Sequence, residues 1–102
     1  MINEKMKCPL SSAIKDIGGE WDIIIIRFLL EKDMRFNELL KSINGISSKT
    51  LSSALKRLSA ANIVSRNVTS TQPFSVLYSL TEKGKDLKPV IDNLEAWEKK
   101  WD

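Results

Sequence analysis

The stretch Arg35 to Leu58, RFNELLKSINGISSKTLSSALKRL, holds two amphipathic helical patterns separated only by Asn44-Gly45-Ile46. Phe36, Leu39, Leu40 and Ile43 give the first pattern one apolar stripe, and Gly45 suits the tight turn that follows. In the second, Leu51, Leu55 and Leu58 fall at i, i+4 and i+7, while Lys49, Ser52, Ser53 and Lys56 repeat on the opposite side. One face is apolar; the other carries only hydrogen-bond donors and positive charge. Ser47 is placed to cap the second helix by offering its hydroxyl to orphan backbone N–H groups. This order reads as a helix-turn-helix, whose second helix, about residues 47–60, is the one laid in a DNA major groove. No Asp or Glu occurs between Glu38 and Glu82, and a surface that faces phosphate has reason to lack them.

The charge distribution agrees. The chain has 102 residues and a net charge of +3. Residues 33–72 carry six basic side chains against two acidic ones, whereas residues 1–32 balance and residues 73–102 are slightly acidic. The excess therefore sits on the reading head. The sequence has no histidine and one cysteine, which removes His-based metal sites, His-dependent triads, intrachain disulfides and Cys-only zinc sites. No glycine-rich phosphate loop is present, so an enzyme is poorly supported and no cofactor is implied. The N-terminal MINEKMKCPL has no signal-peptide core, and the longest apolar run, Ile23 to Ile26, is too short to span a bilayer. The expectation is a cytoplasmic protein without membrane contact.

Outward from the centre, a first helix starts near Pro9 with Leu10, Ala13, Ile14 and Ile17 on one face, and Gly18-Gly19 ends it with a left-handed cap. Trp21 to Glu31 is apolar nearly all round and predicts a central helix. After Asn62 the period changes to alternation. Val64, Arg66 and Val68 form one strand and Val76, Tyr78 and Leu80 another, with Ser70 to Pro73 as the loop between them. Thr81 then caps a long last helix with Leu87, Val90, Ile91, Leu94, Trp97 and Trp101 in one stripe. The fold class is mainly α with a small β-hairpin: a winged helix-turn-helix with extra N- and C-terminal helices, in a single domain over residues 1–102. The wing spans about residues 69–75.

On this frame Lys49, Ser52, Ser53 and Lys56 face the groove, Thr50 and Arg57 flank them as phosphate contacts, and Ser48 adds a donor at the helix start. Arg35 and Arg66 either border the DNA or form local ion pairs. The Trp97 and Trp101 stripe serves dimerisation or lines a ligand pocket.

Cys8-Pro9, IGGEW at Ile17 to Trp21, RFNEL at Arg35 to Leu39, GIS at Gly45 to Ser47, LSSALKRL at Leu51 to Leu58 and YSLTEKG at Tyr78 to Gly84 together resemble the HxlR-type winged-helix transcriptional regulators of bacteria. The resemblance implies a homodimer joined through its terminal helices, here Leu10, Ile14, Leu87, Val90, Ile91, Leu94, Trp97 and Trp101, with two recognition helices and two wings facing double-stranded DNA. It also favours a repressor over an activator. Relatives of this type use a cysteine at the position of Cys8 to sense oxidants or electrophiles, and Lys5 and Lys7 would favour its thiolate. The other reading of Cys8 is a small apolar side chain that packs the N-terminal arm. The effector is accordingly a small molecule, an oxidant or none. Three departures stand out: Glu20 where the family often has a basic residue, and Ser75 and Leu77 where it commonly has Arg and Glu. The wing from Val68 to Val76 is uncharged, so any DNA contact there falls to neutral groups such as Thr69, Ser70, Thr71 and Gln72. That absence keeps open a rival reading, a winged-helix module for protein interaction without specific DNA binding.

Overall fold

The computed structural model describes residues 8–102. Lys5 and Lys7 lie outside the described residues. Pro9 is the first residue of α1 (Pro9–Ile17), where its missing N–H leaves no helical bond unmade. Gly18 leaves the helix at φ −89°, so the left-handed cap expected there is not formed. A side chain at Gly18 would instead collide with the Ile14 carbonyl. The next helix, α2 (Asp22–Glu31), sends Ile25, Ile26 and Leu29 into the centre of the core.

A short helix and a longer one complete the reading head. The first, α3 (Phe36–Ser42), buries Leu39, and α4 (Ser48–Ala60) buries Leu51, Ala54, Leu55 and Leu58. Gly45 sits between them at φ +90°, a conformation other residues adopt at a cost. The end of α4 is closed by paired bonds from Asn62 N–H to the Ser59 carbonyl (3.0 Å) and from Ile63 N–H to the Leu58 carbonyl (2.9 Å). Asn62 takes φ 62° to make them, serving as a left-handed cap where glycine is commoner.

Strands β1 (Val64–Thr71) and β2 (Phe74–Leu80) pair antiparallel, with Val64 opposite Leu80, Arg66 opposite Tyr78 and Thr71 opposite Phe74. The pairing is offset by a bulge between Val68 and Ser70. The expected Ser70 to Pro73 loop contracts to Gln72-Pro73, joined by a cis peptide. Backbone pairing does not require apolar alternation, and the Thr and Ser side chains fit an exposed ribbon. Between α2 and α3, Met34 and Tyr78 exchange two backbone hydrogen bonds of 3.0 and 2.8 Å, which moor the hairpin base to the helices.

The last helix is divided. Thr81 caps only α5 (Glu82–Lys85), accepting from Gly84 N–H, and α6 (Lys88–Trp101) starts afresh. Pro89 causes the break, because inside one continuous helix its ring would clash with the carbonyl of Lys85 and leave that group unbonded. The apolar stripe of α6 also divides. Ile91 is 2% exposed and belongs to the protomer's own core, and Leu87 packs against that core. This corrects the expectation of Ile91 as an interface residue. Val90, Leu94, Trp97 and Trp101 stay exposed, as do Leu10 and Ile14 of α1. No helix among the described residues is long and apolar enough to cross a membrane.

Candidate nucleic-acid interface

Ser47 starts the interface. Its hydroxyl oxygen accepts from the Thr50 backbone N–H at 3.1 Å, which fixes the first turn of α4. With Leu51, Ala54, Leu55 and Leu58 turned into the core, the opposite side necessarily points outward. Lys49, Ser53 and Lys56 occupy the middle of that side, with Ser48 and Thr50 exposed near its start and Ser52 half-buried on its edge. Among the described residues neither lysine is within ion-pair distance of an acid, although seven other ion pairs are formed. The positive charge of this face is thus free for an external anion.

Arg66 joins it from the hairpin. Ser52, Leu55, Lys56, Ser59, Arg66 and Tyr78 line one groove between α4 and the strands, so Lys56 and Arg66 flank the same depression. Arg35 lies in a second depression, between α3 and β2, with Phe36, Phe74 and Tyr78. Its backbone N–H donates to Glu38 at 2.9 Å. This bond, aided by Lys32 and Arg35, holds the Glu38 carboxyl below its ordinary range. Thr71 stands apart, exposed at the end of β1.

Arg57 departs from its expected role. Its guanidinium forms a two-pronged pair with Asp22, Nη1 to Oδ2 at 2.9 Å and Nη2 to Oδ1 at 3.0 Å. The Asp22 side chain is fully buried and also accepts from Gly19 N–H at 2.8 Å. A buried carboxylate must be paired, so Arg57 is held against the start of α2, with its guanidinium still half exposed. The pairing raises the guanidinium's already high pKa, chiefly through the hydrogen bond to Asp22. A Cβ at Gly19 would lie 2.7 Å from Asp22 Oδ2 and 2.8 Å from Arg57 Nη2, so any larger residue there would push the pair aside. Sequence reasoning missed Asp22; the available signal was an acid at the first position of an otherwise apolar stretch, directly after Gly18-Gly19-Glu20-Trp21.

Cys8 is exposed at the N-cap of α1, without a side-chain capping bond.

A family model described as HxlR-like helix-turn-helix matches residues 16–102. The chain is 40% identical over 91 residues to the HTH-type transcriptional regulator YodB of Bacillus subtilis, covering 88% of this chain and 81% of YodB. Among solved structures, the redox regulator HypR in its oxidized form superimposes with a TM-score of 0.84 at 33% identity, covering 91% of this chain and 96% of HypR. Quinone-bound YodB from B. subtilis superimposes with a TM-score of 0.79 at 37% identity, covering 92% of this chain and 99% of that one.

Proposed function

The chain belongs to the HxlR-like helix-turn-helix family, and from that premise we propose that it is a dimeric, sequence-specific DNA-binding regulator of transcription, a repressor acting in the cytoplasm. The carrying observation is the outer face of α4, where Lys49 and Lys56 stand exposed, without acidic partners among the described residues, beside small hydroxyl side chains that allow close approach to a groove. Arg66 extends the same cationic surface across the adjoining groove. The reading of the chain as a protein-interaction module has no observation of its own in its favour. Binding of the full chain to the promoter region beside its own gene, compared with random duplex by fluorescence anisotropy across a range of salt, tests the proposal. Tighter, salt-dependent binding to the promoter is expected. Equal, weak binding to both would contradict specific regulation.

The dimer rests on the apolar side chains that the protomer leaves in water. Leu10 and Ile14 of α1 and Val90, Leu94, Trp97 and Trp101 of α6 are each about half exposed or more. So much apolar surface on two terminal helices suits a second copy. Trp97→Glu leaves the protomer core untouched and is expected to convert the dimer to monomer in light scattering, with operator affinity lost along with it. A dimer that persists would reject this interface.

The effector is a thiol-reactive oxidant or electrophile that modifies Cys8. Support comes from the accessible thiol at the head of α1, which carries Leu10 and Ile14 into the dimer surface, and from relatives solved in oxidized and quinone-bound forms. Diamide is expected to release the parent protein from its promoter and to leave Cys8→Ser bound. Release of the serine variant by the same reagent would end this assignment.

A further inference from the structure

The outer half of the hairpin exposes two apolar side chains that α4 does not account for. Phe74 is 64% exposed and Val68 49% exposed, on strands without a charge from Asn67 through Tyr78. Alternation places Val64, Arg66 and Val68 of β1 on one face, together with Leu80, Tyr78, Val76 and Phe74 of β2. At its base this face closes the core through Val64 and Leu80. Farther out it overhangs the reading head, since Arg66 shares a groove with Lys56 and Phe74 shares a depression with Arg35. The Arg66 guanidinium carbon lies 5.9 Å from the centre of the Phe74 ring.

A large ring is therefore held in water between two arginines, Arg66 over the ring and Arg35 in the same depression. Glu38 is the one acid lining either depression, and it is engaged by Arg35 N–H and by Lys32 at 3.6 Å. An apolar protein partner would cover the ring and leave the arginines without counter-charges. A duplex satisfies both, with phosphates at the arginines and sugar and base faces against the ring. We infer that Phe74 is a wedge that enters the minor groove beside each half-site and opens a base step there, while Arg66, stacked on the ring, holds the neighbouring phosphate. This rests on the reading of α4 as the major-groove helix. It supplies a mode of DNA contact for a wing that has no charge of its own. It also adds specificity outside the reach of α4, because pyrimidine–purine steps open more readily than others and will be preferred under the wedge.

The test uses the full chain and promoter duplexes with 2-aminopurine placed in turn at each step of the operator. The parent protein is expected to raise the fluorescence at one step flanking each half-site. Phe74→Ala should abolish that rise and weaken binding about tenfold, with the salt slope and the dimer unchanged. Arg66→Ala should keep the rise and lower the slope by about two, one phosphate contact per protomer. Because Phe74 lies outside the core, its alanine variant folds, and unchanged thermal unfolding verifies this. Parent binding without any fluorescence rise, or a Phe74→Ala protein with undiminished rise and affinity, overturns the wedge and leaves the α4 reading intact. Loss of dimer in Phe74→Ala overturns it in favour of a protein contact. A parent protein that binds no duplex overturns both.

Discussion

Replacing Lys49 and Lys56 together by alanine is expected to weaken operator binding roughly a hundredfold or more near physiological salt. The larger signature is in the salt dependence. A dimer carrying both substitutions loses four cations, and each phosphate contact contributes about 0.9 to the slope of log affinity against log salt, so the slope should fall by about 3 to 4. Both side chains are exposed and unpaired with any acid among the described residues. Stability should therefore change by less than about 0.5 kcal/mol. Anisotropy titrations at several salt concentrations, with thermal unfolding of the same variant, separate loss of contact from loss of fold. An unchanged affinity and slope would reject the assignment of this face to DNA.

Arg57→Ala, one position further along α4, is expected to fail for the opposite reason. It removes the partner of a carboxylate that is fully buried, leaving Asp22 with the single hydrogen bond from Gly19. Breaking such a pair from one side costs about 3 to 5 kcal/mol, and the half-exposed position of Arg57 lets water soften the loss toward about 3. For a domain of this size the melting temperature should drop by roughly 12 to 24 °C. Asp22→Asn with Arg57→Ala should recover part of the loss, because no buried charge is then left unpaired. Calorimetry at one fixed protein concentration checks both, since dissociation of a dimer would otherwise enter the transition. A single variant with parental stability would mean that Asp22 is adequately solvated without Arg57. The effect on DNA binding should follow stability and leave the salt slope nearly unchanged, which distinguishes Arg57 from Lys49 and Lys56.

These two outcomes mark what local sequence could and could not convey. The order of Leu51, Leu55 and Leu58 opposite Lys49, Ser53 and Lys56 is a property of helical spacing, so the reading head was legible residue by residue. So was the change to alternation after Asn62. The Asp22–Arg57 pair joins positions 35 apart in sequence, and no periodicity carries such a contact; Arg57 therefore read as one more cation on the DNA side. The division of the C-terminal stripe was hidden for a related reason. Leu87 to Trp101 covers about a third of the helix circumference, and only packing decides that the Leu87 and Ile91 edge turns inward while Val90, Leu94, Trp97 and Trp101 remain outside. Pro89, in contrast, was a readable break within a pattern taken as continuous. The strands were drawn too short and the loop between them too long because the pairing continues in Thr and Ser, and Phe74 was passed over because it stands next to the turn.

Methylation interference on the promoter duplex tests the seating of α4 in the major groove, because guanine N7 lies there and a methyl group on it obstructs a helix. With α4 of each protomer in a major groove, interference should fall in two patches about one helical turn, or a multiple of it, apart. Both patches should vanish from the pattern of the Lys49→Ala, Lys56→Ala protein. Specific binding that is indifferent to guanine N7 methylation throughout the site would rule out α4 as the major-groove helix.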